Sequence, residues 1–112
     1  MVREHRGLVE RLGSEAICLG AEALVVEYKD GYEEVFAMKG GGGYGLARFR
    51  RSSPEAESLR EELQGLTQRR RRLTVGDSEY ELRGCVDESF GEDAFHLELR
   101  RVYHRSAADR ER

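Results

Sequence analysis

The stretch that decides the fold runs from Ala23 to Met38: Ala23-Leu24-Val25-Val26-Glu27-Tyr28, then Lys29-Asp30-Gly31-Tyr32, then Glu33-Glu34-Val35-Phe36-Ala37-Met38. Two runs of branched and aromatic residues suit a pleated surface. The Asp-Gly between them supplies the positive φ angles that a two-residue hairpin turn needs. Leu24, Val26 and Tyr28 share one face of the first strand. Val25 on the other face is apolar as well, as are both Val35 and Phe36 on the returning strand. A strand apolar on both faces is expected in the middle of a fold or in a closed, barrel-like sheet.

Downstream of this hairpin, Lys39 and Gly40-Gly41-Gly42-Gly43 lead into a third strand, Tyr44 to Arg50, which completes an antiparallel meander. Ser52-Ser53-Pro54-Glu55 then opens a helix, with a serine cap, proline in the first turn and capping-box spacing from Ser52 to Glu55. Ala56, Leu59, Leu63 and Leu66 give it a single apolar seam, expected to cover the sheet. Acidic residues load its start. Arg69 to Arg72 at its finish complement the helix dipole, so the charge layout has an explanation without a partner.

A second meander follows: Leu73-Thr74-Val75, a Gly76-Asp77 turn, Tyr80 to Val86, a loop around Asp87 to Asp93, and Ala94 to Val102. The register of its last hairpin follows from pairing Val86 with Phe95 and Leu82 with Leu99. Arg83 then faces Glu98 and Glu81 faces Arg100, whereas a slip of two residues either way sets like charges opposite one another.

Upstream of the deciding hairpin, Leu8, Val9 and Leu12 mark a short N-terminal helix within residues 1–13, with Gly13 as its stop. Ala16-Ile17-Cys18-Leu19 reads as a strand. The expected fold is α+β: a short helix and two antiparallel β-meanders flanking one central helix. The meanders either remain separate or form a single curled or barrel-like sheet packed on that helix. Residues 1–103 form one domain, and 104–112, without apolar periodicity, a disordered tail.

Composition narrows the function classes. The 112 residues carry 37% charged and 38% hydrophobic side chains, enough for one small core. No apolar run reaches the length of a membrane span or a signal peptide, so a cytoplasmic chain that avoids membranes is expected. The net charge of −3 draws the whole molecule to no polyanion. Locally the balance differs, since residues 47–72 hold eight basic against four acidic residues. Seventeen of the 19 basic residues are arginine. Cys18 and Cys85 have no metal-type spacing around them and read as reduced, half-buried thiols.

Four features bear on chemistry. Gly40, Gly42 and Gly45 fit G-x-G-x-x-G, but a strand follows where a phosphate-binding loop would open a helix, so a hairpin connection is expected. Cys85 and His96 become cross-strand neighbours without anything that marks an oxyanion hole. Glu27, Glu33 and Glu34 sit near the first hairpin tip and read as solvated surface. Arg48, Arg50, Arg51, Arg69, Arg70, Arg71 and Arg72 could converge on one face to neutralise phosphates.

These readings give a small non-enzymatic interaction or accessory protein, meeting a protein partner or a second copy of itself through a sheet edge. No catalytic residue, metal site or cofactor is assigned. The alternative is a nucleic-acid-binding module using the arginine patch.

Overall fold

A computed structural model of the protein describes residues 7–89 and 92–103, with no account of the side chains of 87–93. In chain order its elements are α1 (Leu8–Cys18), β1 (Ala23–Lys29), β2 (Tyr32–Lys39), β3 (Gly42–Arg50), α2 (Pro54–Gln68), β4 (Arg71–Val75), β5 (Ser78–Ser89) and β6 (Glu92–Val102). The class is α+β. The two meanders join through β1 and β6 into one antiparallel sheet of order β3-β2-β1-β6-β5-β4. This sheet does not close into a barrel; β3 and β4 remain its edges. The expected disordered tail, 104–112, lies outside the described residues.

The Asp30-Gly31 hairpin forms as its sequence demands, with φ of 54° and 84° at the two turn residues and Lys29 facing Tyr32. β1 does take a central place. Its two apolar faces are handled differently from a covered or closed sheet. One face, carrying Leu24, Val26, Val35, Leu82, Leu97 and Leu99, lies under both helices and is buried. The other carries Val25, Phe36 and Met38, which are half-buried among their strand neighbours with no helix over them.

α2 starts at Pro54 with Ser53 as the N-cap, its Oγ accepting from the Ala56 amide at 3.1 Å, so the expected Ser52–Glu55 capping box gives way to a cap one residue later. Ala56, Leu59, Leu63 and Leu66 are all buried. They seat on the sheet through Gly84 of β5, where a Cβ would meet the Leu66 carbonyl carbon at 3.2 Å. The β5–β6 register is the one that charge pairing demands, including Arg83 opposite Glu98 and Leu82 opposite Leu99.

Three expectations are corrected. First, α1 does not stop at Gly13 but continues to Cys18, so Ala16 to Cys18 are helical rather than a strand. Ala16 extends the Val9 and Leu12 stripe, and all three are buried. Gly13 lies against Leu73 and Leu99, and the stop is Gly20, with φ of 86°. Second, α2 ends at Gln68, leaving no basic residue in its last turn. Arg71 and Arg72 belong to β4, so the helix dipole does not explain the arginine run. Third, Cys18 and Cys85 are free but exposed rather than half-buried.

Candidate functional site

Strand alternation and sheet order decide where the arginines go. In β3, Arg48 pairs with Glu34 and Arg50 with Tyr32, so both project from the uncovered face. The Arg48 guanidinium lies 3.9 Å from the Tyr32 ring centroid and 3.4 Å from Glu34. That stacking holds it in place through cation–π attraction and a carboxylate partner together. Arg50 lies 5.8 Å from the same ring.

Arg51 leaves the strand, its amide bonded to the Gly31 carbonyl at 2.9 Å. Its guanidinium reaches the helix side instead, 4.2 Å from the Tyr28 ring and 3.8 Å from Glu33. Glu33, expected at the solvated surface, is instead the one buried charged residue among those described, 5% exposed, because its strand face lies under α2. Burial of a carboxylate is tolerable only when it is paired, and Arg60 of α2 completes the pairing at 3.2 Å. The same Arg60 reaches the Arg51 carbonyl at 3.5 Å. A cleft of about 600 Å³ opens here, lined by Tyr28, Glu33, Arg51, Arg60, Glu61 and Phe95 among others. Its acids and bases largely answer one another, which makes it a clamp between β2, the β3–α2 turn and α2.

The second group sits at the far edge. Arg69 is the C-cap of α2. Arg70 pairs with Glu81 at 3.7 Å, Arg71 with Glu10 of α1 at 3.2 Å and Arg72 with Glu79 at 3.1 Å. The expected single patch of Arg48, Arg50, Arg51 and Arg69 to Arg72 is therefore corrected. β3 and β4 are separated by the full width of the sheet, roughly 24 Å at about 4.8 Å per strand. Sequence proximity across α2 misleads because the helix crosses the sheet from one edge to the other.

The remaining sequence candidates also find their places. Gly40 and Gly41, with φ of 59° and 87°, form the two-residue turn joining β2 to β3. Lys39 beside them donates to the Leu19 carbonyl at 3.2 Å, which ties the turn to the end of α1. Cys85 and His96 are opposite one another in the β5–β6 register, on the uncovered face. Among the described residues, no group of three or more His, Cys, Asp or Glu gathers as a metal site. No described helix is long and apolar enough to cross a membrane.

Two features escape a reading of the sequence. At the start of α1, Glu62 of α2 accepts from the Leu8 and Val9 amides at 3.1 and 2.9 Å. It supplies the cap that Gly7 has no side chain to provide. Beside β3 lies an apolar groove of about 390 Å³, lined by Ser14, Glu15, Cys18 and Leu19 of the α1 end and by Leu46. Leu19 is 50% exposed and Tyr44, on the same strand as Leu46, 56%. The only sequence signal for this groove was a leucine and a tyrosine next to glycines.

Among the described residues, fold and site together define a two-layer α+β domain with one uncovered sheet face and a long free edge at β3. No protein-family model matches the chain, and no curated protein matches it.

Proposed function

We propose that the protein is a small non-enzymatic interaction module that takes up a strand, from another protein or from a second copy, along the outer edge of β3. The observation that carries this reading is the edge itself. β3 is nine residues long and pairs only with β2 among the described residues. An edge strand presents a row of backbone donors and acceptors to solvent and is a ready template for another strand. β3 contains no proline or lysine, two residues that commonly blunt such edges. A register shift between Val35 and Phe36 marks a bulge in the β2–β3 pairing, which limits how far one added strand stays in step.

The nucleic-acid alternative has less support. Arg48, Arg51, Arg70, Arg71 and Arg72 each have a carboxylate within 4.0 Å, and the set is divided between opposite edges.

The test is strand blocking. Gly45 has no atom within 4 Å of where a Cβ would stand, so a side chain is accommodated there, and Gly45→Pro also removes a backbone donor and stiffens the edge. Sedimentation velocity of the wild type is compared with Gly45→Pro and with Gly45→Lys, which adds an edge charge and keeps the donor. The same comparison is made with a strand-forming peptide added. Association or peptide binding that the proline variant loses, with its melting curve retained, supports the reading. Association that it keeps, or neither behaviour in the wild type, overturns it.

A further inference from the structure

Resting on the β3 edge reading, we infer that the strand β3 accepts is an extended acidic segment of a different protein, with apolar side chains on its helix side and carboxylates on its outer side. The groove between the end of α1 and β3 opens beside the same free edge. A strand added there would set alternate side chains towards Leu19, Tyr44 and Leu46. Leu19 and Tyr44 already stand half in water or more, so covering them removes apolar area from solvent.

The other side of the added strand is set by Arg50, which projects from the uncovered face of β3 beside the Tyr32 ring, whereas Arg48 next to it is already held by Glu34. Residues directly across a strand pair contact one another, and opposite charges there favour pairing while like charges oppose it. A carboxylate facing Arg50 satisfies that rule. A second copy of this chain does not, because both of its edges are basic: β3 carries Arg48 and Arg50, and β4 carries Arg71 and Arg72. Neither edge strand of an incoming copy carries a carboxylate to set against Arg50. Main-chain hydrogen bonds would supply the general affinity, and the groove and Arg50 would choose the segment.

The probe is a blocked eight-residue peptide alternating valine with glutamate, compared with one in which lysine replaces glutamate. Binding to the full chain is followed by fluorescence anisotropy at low salt, and the site is located by backbone amide shifts. The glutamate peptide is expected to bind about tenfold more tightly than the lysine peptide, with shifts centred on residues 44–50. Arg50→Glu, a change at an exposed position, reverses that preference. Leu19→Lys weakens the glutamate peptide even though it adds a positive charge, because it spoils the apolar wall.

Equal affinity for both peptides with shifts on β3 overturns the acidic preference and leaves the edge reading standing. Self-association abolished by Gly45→Pro, with no peptide bound, makes the occupant a second copy and overturns the inference alone. Shifts elsewhere on the molecule overturn both. So does the lack of both binding and association.

Discussion

β3 and β4 terminate the same sheet, and both carry arginines, but their surroundings give those arginines different work. At β4 the strand is five residues long, and Arg70, Arg71 and Arg72 are each drawn to a glutamate of β5 or α1. Short length and inward-tied charge are ways of closing an edge to further pairing. At β3 the strand is nine residues long. Arg48 lies along Tyr32, and the neighbouring surface includes an apolar groove. On the proposed reading, the same residue type is an edge guard in one setting and a recognition element in the other. What differs is that Arg50 of β3, unlike Arg70 to Arg72, lies beside the Tyr32 ring with no carboxylate within 4.0 Å among the described residues.

The halves of the sheet are also fastened to the helices in different ways, and this gives means of breaking the comparison. On the β4 side, α2 rests on Gly84 at backbone distance. Gly84→Leu is the most disruptive change: overpacking there is expected to cost about 3 kcal/mol, read from urea unfolding. Amide exchange should quicken first in β4 and β5; equal quickening in β2 and β3 would show that the halves do not loosen separately. On the β3 side the fastening is electrostatic, through Glu33 with Arg60 and Arg51. Glu33→Ala is expected to cost about 1–2 kcal/mol, below the value for a fully buried pair because both guanidiniums are part-exposed. Glu33→Gln, which keeps an acceptor for Arg60, should recover about half of it.

A smaller effect is expected at the junction of the helices. Glu62→Ala removes the carboxylate that caps α1 and should lower stability by about 1 kcal/mol, seen as faster exchange at Leu8 and Val9. The least costly change sharpens the comparison most. Arg71→Ala with Arg72→Ala deletes two exposed ion pairs and should leave stability within about 1 kcal/mol. If those pairs guard the β4 edge, the double variant associates more readily in sedimentation than the wild type. Unchanged behaviour would remove edge protection as the role of these arginines.

Much of the fold was legible in short stretches of chain. Asp30-Gly31 fixed the first hairpin through backbone sterics. The Leu82, Arg83, Glu98 and Leu99 pattern fixed the β5–β6 register, because a slip would have opposed like charges. Ser53-Pro54 and the leucine seam fixed the start and buried face of α2. The errors lay where local signals were balanced. Gly13 is a helix stop in isolation, yet the helix runs through it because Ala16 beyond it continues the buried stripe of Val9 and Leu12. Arg69 to Arg72 suit a helix C-terminus and a polar edge strand equally well, and pairing with β5 favours the strand for the last two.

Of the candidate site, residue types were legible and company was not. The arginines could be named from the chain, as could Tyr32 and Glu33. That Glu33 is buried under α2 while Glu34, its neighbour, meets Arg48 on the other face follows only once β2 is paired and one face is covered. Alternating hydrophobicity, turn chemistry and helix capping act over a few residues, so the first hairpin, the β5–β6 register, the helix α2 and the α+β class could be read from the chain, while residues 87–89 and 92–93, expected in a loop, are strand. The pairing of β1 with β6 joins segments about seventy residues apart. Only the tertiary structure could therefore decide the strand order, which sends the two arginine groups to opposite edges and leaves β3 open beside the end of α1.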